Sequence, residues 1–189
     1  MKRAIVVFSM LLIFSTAQAQ LMGGPGAPAL SKGDIIVGGK LALGAVYGAN
    51  VGFIASGEYG FKQGFLNIPK FPASLGIGGS IGYSGYSENY AGWGEYSYSN
   101  FLILGSGYWH VDLLKKKEVD TYVVLNLGFN ITSVDIPNIP NAPDYDSTDG
   151  GLVLGSGIGI KYYFIPNLAA VAEVGFGMGL LRIGLDFKI

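Results

Sequence analysis

The sequence has no cysteine and a single histidine in 189 residues. Without cysteine there is no disulfide framework, no thiolate metal site and no residue to carry a lipid anchor behind an export signal. Charge is also scarce, with 13% Asp, Glu, Lys and Arg. That is too little to clothe the solvent-facing strands of a soluble β-sandwich or lipocalin-like barrel, which would place apolar residues inside and charged ones outside. Long apolar runs are missing as well: beyond the first twenty residues none approaches the ~18 consecutive apolar positions that mark a membrane-spanning helix. Yet half of the residues are hydrophobic and the mean hydropathy is +0.41. A chain this apolar without a helical span is explained if its apolar residues occupy alternate positions of strands. A bilayer admits only helices and closed barrels, because unpaired backbone groups in hydrocarbon are costly.

The N-terminus reads as a cleaved signal peptide over residues 1–19. Lys2 and Arg3 form a positive start, residues 4–14 an uncharged apolar stretch too short to span, and Ala17-Gln18-Ala19 a small-x-small cleavage pattern. Its removal leaves ten basic against thirteen acidic side chains, which gives no electrostatic footprint for nucleic acid. Residues 20–33, rich in Gly, Pro and Ala, read as a flexible periplasmic lead-in, and residues 34–189 as one barrel domain.

Period-two alternation marks eight segments: 34–44, 51–62, 73–86, 96–112, 119–135, 151–164, 168–176 and 180–189. The clearest is the fifth, where Val119, Val123, Leu125, Leu127, Phe129 and Ile131 alternate with Asp120, Asn126, Asn130 and Thr132. Leu102 and Leu104 blur the fourth. The fold expected is all-β, a closed antiparallel transmembrane barrel of about eight strands, of the kind found in bacterial outer membranes. Connections 63–72, 114–118 and 165–167 fall at the end that carries both termini. The longest irregular stretches, 87–95 and 136–150, fall at the other, while 45–50 and 177–179 are short. Short periplasmic turns and longer outer loops assign the two ends.

Residues 151–189, GLVLGSGIGIKYYFIPNLAAVAEVGFGMGLLRIGLDFKI, with GSGYWHVDL at 105–113, resemble the small outer-membrane β-barrel proteins of the OmpA/OmpX-like superfamily. The resemblance spans the whole mature chain through diffuse pattern and a short C-terminal signature. It implies localisation in the cell outer membrane and recognition by the barrel-assembly machinery through an amphipathic last strand, with Leu185, Phe187 and Ile189 as the assembly signal. The family pattern prefers a terminal aromatic, whereas here Ile189 is last and Phe187 stands two residues earlier. No segment is left after the last strand for a peptidoglycan-binding domain, so a barrel alone is expected.

Among candidate chemistries, His110 shares an inward face with Ser106 and Asp112, but strand spacing separates them by more than hydrogen-bond reach. Lys40, Glu58, Lys161, Glu173 and Arg182 are inward at mid-strand heights. An eight-stranded lumen is just wide enough for side chains to fill, so these five are expected to pair as structural ions rather than to catalyse. Asp144, Asp146 and Asp149 with Asn138 and Asn141 form an acidic stretch without the spacing of a calcium loop. Gly23-Gly24-Pro25-Gly26 lacks the strand-to-helix setting of a phosphate loop. The sequence therefore points to a monomeric, non-enzymatic barrel without cofactor or metal, with outer-membrane lipid as surroundings and a structural or surface-interaction role. The alternatives are a narrow channel for small or apolar solutes and an outer-membrane lipid-modifying enzyme.

Overall fold

The computed structural model describes residues 29–90, 94–135 and 147–189. Residues 1–28, where the signal peptide and most of the lead-in are expected, residues 91–93, and residues 136–146, which include Asn138, Asn141, Asp144 and Asp146, lie outside the described residues. Eight strands follow one another: β1 (Ile35–Val46), β2 (Ala49–Gln63), β3 (Ala73–Tyr90), β4 (Gly94–Val111), β5 (Val119–Asp135), β6 (Ser147–Ile165), β7 (Leu168–Phe176) and β8 (Leu181–Lys188). Every strand pairs antiparallel with its sequence neighbour, and β1 pairs with β8 from Ile36↔Lys188 to Leu43↔Leu181, which closes the barrel. Closure leaves no strand edge unpaired, the condition for a sheet in hydrocarbon.

The alternation read from sequence sets which face each side chain takes. Phe53, Ile81, Leu125, Leu127, Phe129, Leu152, Leu154 and Ile158 are half or more exposed on the outer wall, while Asn126, Ser80, Asn100 and Lys161 are buried inside. Leu102 and Leu104, which break the alternation of polarity, keep its geometry: both point inward. There they pack with Ala42, Val46, Ile54, Val153 and Met178 in an apolar layer within the lumen.

Two rims result. The terminal rim carries residues 29–34, the C-terminus and the connections 64–72, 112–118 and 166–167. The loop rim carries the 47–48 and 177–180 connections and the strand ends at Tyr90, Gly94, Asp135 and Ser147. At the 47–48 turn Val46 pairs with Ala49, and both Tyr47 (φ 50°) and Gly48 (φ 86°) are left-handed. This is a two-residue type I′ hairpin, whose twist suits the flanking strands. Glycine at 48 also leaves room for the Tyr86 ring, which a Cβ there would meet at 2.6 Å.

Three expectations are corrected. Residues 87–90 and 94–95 belong to strands and not to a long loop: β3 and β4 stay paired from Ala73↔Val111 to Tyr90↔Gly94. Cross-strand contacts hold this extension, with Tyr86 and Tyr98 rings stacked at 4.6 Å and Ser87 and Ser97 hydroxyls 3.1 Å apart. Asp149 belongs to β6, opposite Thr132, rather than to an acidic loop. Residues 29–33 of the lead-in are docked rather than free: Leu30 is fully buried, and its carbonyl accepts a hydrogen bond from Ser74 Oγ at 3.1 Å.

The outward face predicts a depth-dependent cost. Leu127→Arg at the bilayer midplane should destabilise the barrel by about 2–4 kcal/mol, and Leu114→Arg, in a terminal-rim turn, by about 0–1 kcal/mol. Urea unfolding in lipid vesicles measures both. Equal costs would place Leu127 away from lipid.

Candidate functional site

The lumen's middle is built from side chains that alternation alone would send inward, brought together by the register of the strands. Two carboxylates organise it. Glu173 of β7 accepts Lys40 Nζ at 2.5 Å and the Tyr122 hydroxyl at 2.7 Å on Oε1. Its Oε2 lies 2.7 Å from Arg182 Nε, an ion-pair distance at an angle outside hydrogen-bond geometry. Glu173↔Arg182 is also a direct cross-strand pair of β7 and β8. Glu58 of β2 faces His110 Nε2 at 2.5 Å through Oε1 and accepts Lys161 Nζ at 2.9 Å on Oε2. Lys161 reaches Asp186 Oδ2 at 3.0 Å, and His110 Nδ1 lies 2.8 Å from Asp120 Oδ2.

Tyr122 joins the two halves. Its hydroxyl binds Glu173, its ring stacks on His110 at 5.3 Å, and Lys161 Nζ sits 5.1 Å from its centroid. Space for the long side chains comes from glycines on nearby strands, Gly76 on β3 and Gly157 on β6. A Cβ on Gly76 would lie 2.2 Å from Glu58 Oε1, and one on Gly157 would lie 2.3 Å from Arg182 Nη2.

All five lumen residues expected from sequence are thus in one buried network, with Lys40 contacting Glu173, Lys161 contacting Glu58, and Arg182 beside Glu173. His110, Asp120, Tyr122 and Asp186 were missing from that set. Asp120 and Asp186 stand at inward positions of the alternation, so facing was available, but which strands meet across the barrel is not written in any one segment. Charge gives a further constraint. Glu58, Glu173, Asp120 and Asp186 supply four carboxylates against Lys40, Lys161 and Arg182. His110 has a carboxyl oxygen on each ring nitrogen, and with Glu58 and Asp120 ionised both nitrogens donate. Only the imidazolium does that, and it brings the count to four against four.

Ser106, His110 and Asp112 are not assembled as a nucleophile and its base. Ser106 Oγ donates to Asn126 Oδ1 at 2.7 Å, and Asp112 Oδ1 accepts the Lys115 backbone N–H at 2.8 Å. His110 is engaged by Glu58 and Asp120, so the three side chains do not converge. Above the network, towards the loop rim, lies the apolar layer, and Ser84 Oγ and Asn100 Nδ2 hold the carbonyls of Val46 and Tyr47 across the mouth at 3.1 Å. Below it, Lys188 Nζ bonds Ala29 O and Asp34 Oδ2, each at 3.0 Å, which ties the docked segment to the terminal rim. At the C-terminal strand Leu185 and Ile189 are exposed on the outer wall and Phe187 is half-buried.

This arrangement of strands has counterparts among solved structures. The attachment invasion locus protein Ail of Yersinia pestis superposes with a TM-score of 0.50, over 84% of this chain and 100% of its own, at 13% identity. The chain has the fold of the small outer-membrane β-barrels. Neisserial surface protein A matches at a TM-score of 0.48, 17% identity, and 82% and 94% coverage of this chain and its own. The N-terminal barrel domain of OprF from Pseudomonas aeruginosa gives 0.46, 17%, and 84% and 98%. No protein-family model and no curated protein sequence matches the chain.

The network predicts an asymmetric response to mutation. Glu173→Ala leaves Lys40 and Arg182 buried without their carboxylate and should cost about 3–5 kcal/mol, whereas replacing Lys40, Glu173 and Arg182 together by Met, Leu and Met should recover much of that loss. Denaturant midpoints of the three proteins in one detergent check this. A triple variant as unstable as Glu173→Ala would contradict the pairing.

Proposed function

We propose that the chain is exported by its N-terminal signal and matures into a monomeric, non-enzymatic barrel of the outer membrane, closed to solutes and acting structurally and through its loop rim. The observation that carries this reading is the filled lumen, with an apolar layer, an ion network and a docked N-terminal segment stacked along the barrel axis. Each layer alone would narrow a channel, and together they leave charged side chains bound to one another rather than to passing solute.

The loop rim supports the interactive part. At about 3.4 Å per residue, an 18-residue strand such as β3 or β4 is roughly 60 Å long, far more than the ~25 Å apolar band of such barrels requires even when tilted. Beyond Tyr83 and Phe101 the outward positions turn polar, with Gly85, Ser87, Asn89, Ser97 and Ser99. The β3–β4 hairpin therefore stands out of the membrane on this reading. The charges sort in the same sense. Glu88, Glu95, Asp135 and Asp149 belong to the loop rim, and the exposed Lys32, Lys62, Lys70, Lys115, Lys116 and Lys117 to the terminal rim. Outer loops at the first rim and periplasmic turns at the second fit both the strand lengths and the assembly role proposed for Leu185, Phe187 and Ile189.

In planar bilayers the purified barrel should give no more than brief, small current fluctuations. An epitope inserted between Tyr90 and Gly94 should be bound by antibody on intact cells, and one at Lys116 should not. A steady, porin-sized conductance would establish the channel reading instead, and labelling at Lys116 alone would invert the orientation.

A further inference from the structure

We propose that the outer wall beside the terminal rim carries a specific site for one anionic glycerophospholipid, its acyl chain in a wall groove and its headgroup at Lys70 and Lys115. A groove of about 450 Å³ crosses β4 to β7 where Thr121 and Ala172 leave a trough between Trp109 and Ile160, and Ile68 overhangs its end. Ile68 also lines a second cavity of about 640 Å³, bounded by Asn67, Lys70, Phe71 and Lys115. An apolar trough thus runs into a basic pocket, the order of chemistry along a phospholipid from chain to phosphate.

The basic end is held in place. Trp109 Nε1 donates to Phe65 O at 3.2 Å, pinning the 64–72 connection over the wall. Phe71 N–H bonds Ile68 O at 2.8 Å around Pro69 and Lys70, the latter with φ 73°. Proline second and a left-handed third residue make a type II turn, which fixes where Lys70 starts. Lys115 is fixed by its backbone N–H to Asp112 Oδ1, and its Nζ stands 5.3 Å from the Phe71 centroid. Asp112 is buried, accepts that N–H and does not line the cavity; Glu118, the other acid of that turn, lies 3.9 Å from Lys117. Trp109 is the amphipathic ring expected at headgroup level, which sets the two lysines beside lipid phosphates. Lysines at that level attract anionic lipids.

The inference rests on the barrel being in a bilayer and not on its being closed, so its failure would leave the conductance result standing. Native mass spectrometry of the detergent-purified, full barrel would count bound phosphatidylglycerol and phosphatidylcholine of identical chains, with heat-modifiable electrophoretic mobility as the check of folding. Unmutated protein should retain one phosphatidylglycerol with about tenfold preference. Lys70→Glu with Lys115→Glu should abolish the preference, Ala172→Trp should lower retention of both lipids, and Lys116→Glu with Lys117→Glu should change neither. Equal retention of the two lipids by the unmutated protein would overturn the site. So would a loss of preference on reversing Lys116 and Lys117, which means diffuse rim charge, or equal competition by chainless glycerophosphoglycerol, which means a free-anion pocket.

Discussion

The structure turns on a constraint of size: eight strands enclose a space that side chains must fill, and whatever charge enters it must be met by charge. Glu58 on β2 and Glu173 on β7 answer it, each meeting two cationic side chains, with Tyr122 binding one cluster and stacking on the other. A hydrophobic filling of the same volume would be no less stable in principle, because buried ion pairs lose much of their attraction to desolvation. What the charged filling adds is register. Lys40, Glu58, Lys161, Glu173 and Arg182 come from five strands, so a slip of one strand strands a charge.

The outside of the barrel is ruled by the opposite condition. Its wall is apolar because lipid offers no partner to a polar group, and polarity returns at the two rims with different signs. Among the described residues, loop-rim carboxylates face terminal-rim lysines, with Glu118 beside Lys117 the acid partly exposed at the lysine end. The wall beside the lysine turns is also uneven, with a connection folded back over it and anchored by Trp109. An outer wall of this shape can select lipid as well as tolerate it, and the interior can remain sealed while it does so.

Facing and strand number were legible in the sequence because a barrel wall imposes period two on every segment, as β5 shows from Val119 to Ile131. Leu102 and Leu104 looked like exceptions only because an inward position was equated with a polar one; the lumen has an apolar layer of its own. The 87–95 segment was read as a loop because its Ser, Glu and Asn residues lack apolar alternation. A hairpin that leaves the bilayer no longer needs an apolar face, and backbone pairing with stacked tyrosines sustains it. The lumen candidates were legible as a set, since charge on an inward face stands out. Their partners were not, because the meeting of Glu58 with His110 and Lys161 depends on strands far apart in sequence lying on one closed wall.

On the proposed reading the lumen is a neutral, internally bonded plug, and His110 is its most exacting member. Nitrogen-15 spectra of the ring, recorded on the barrel in nanodiscs at neutral pH, read the protonation of both nitrogens directly. A sealed lumen requires an imidazolium with Nδ1 and Nε2 both protonated, and protons slow to exchange with water because Glu58 and Asp120 hold them. A neutral ring with one protonated nitrogen, exchanging rapidly, would contradict it and leave the lumen open to water.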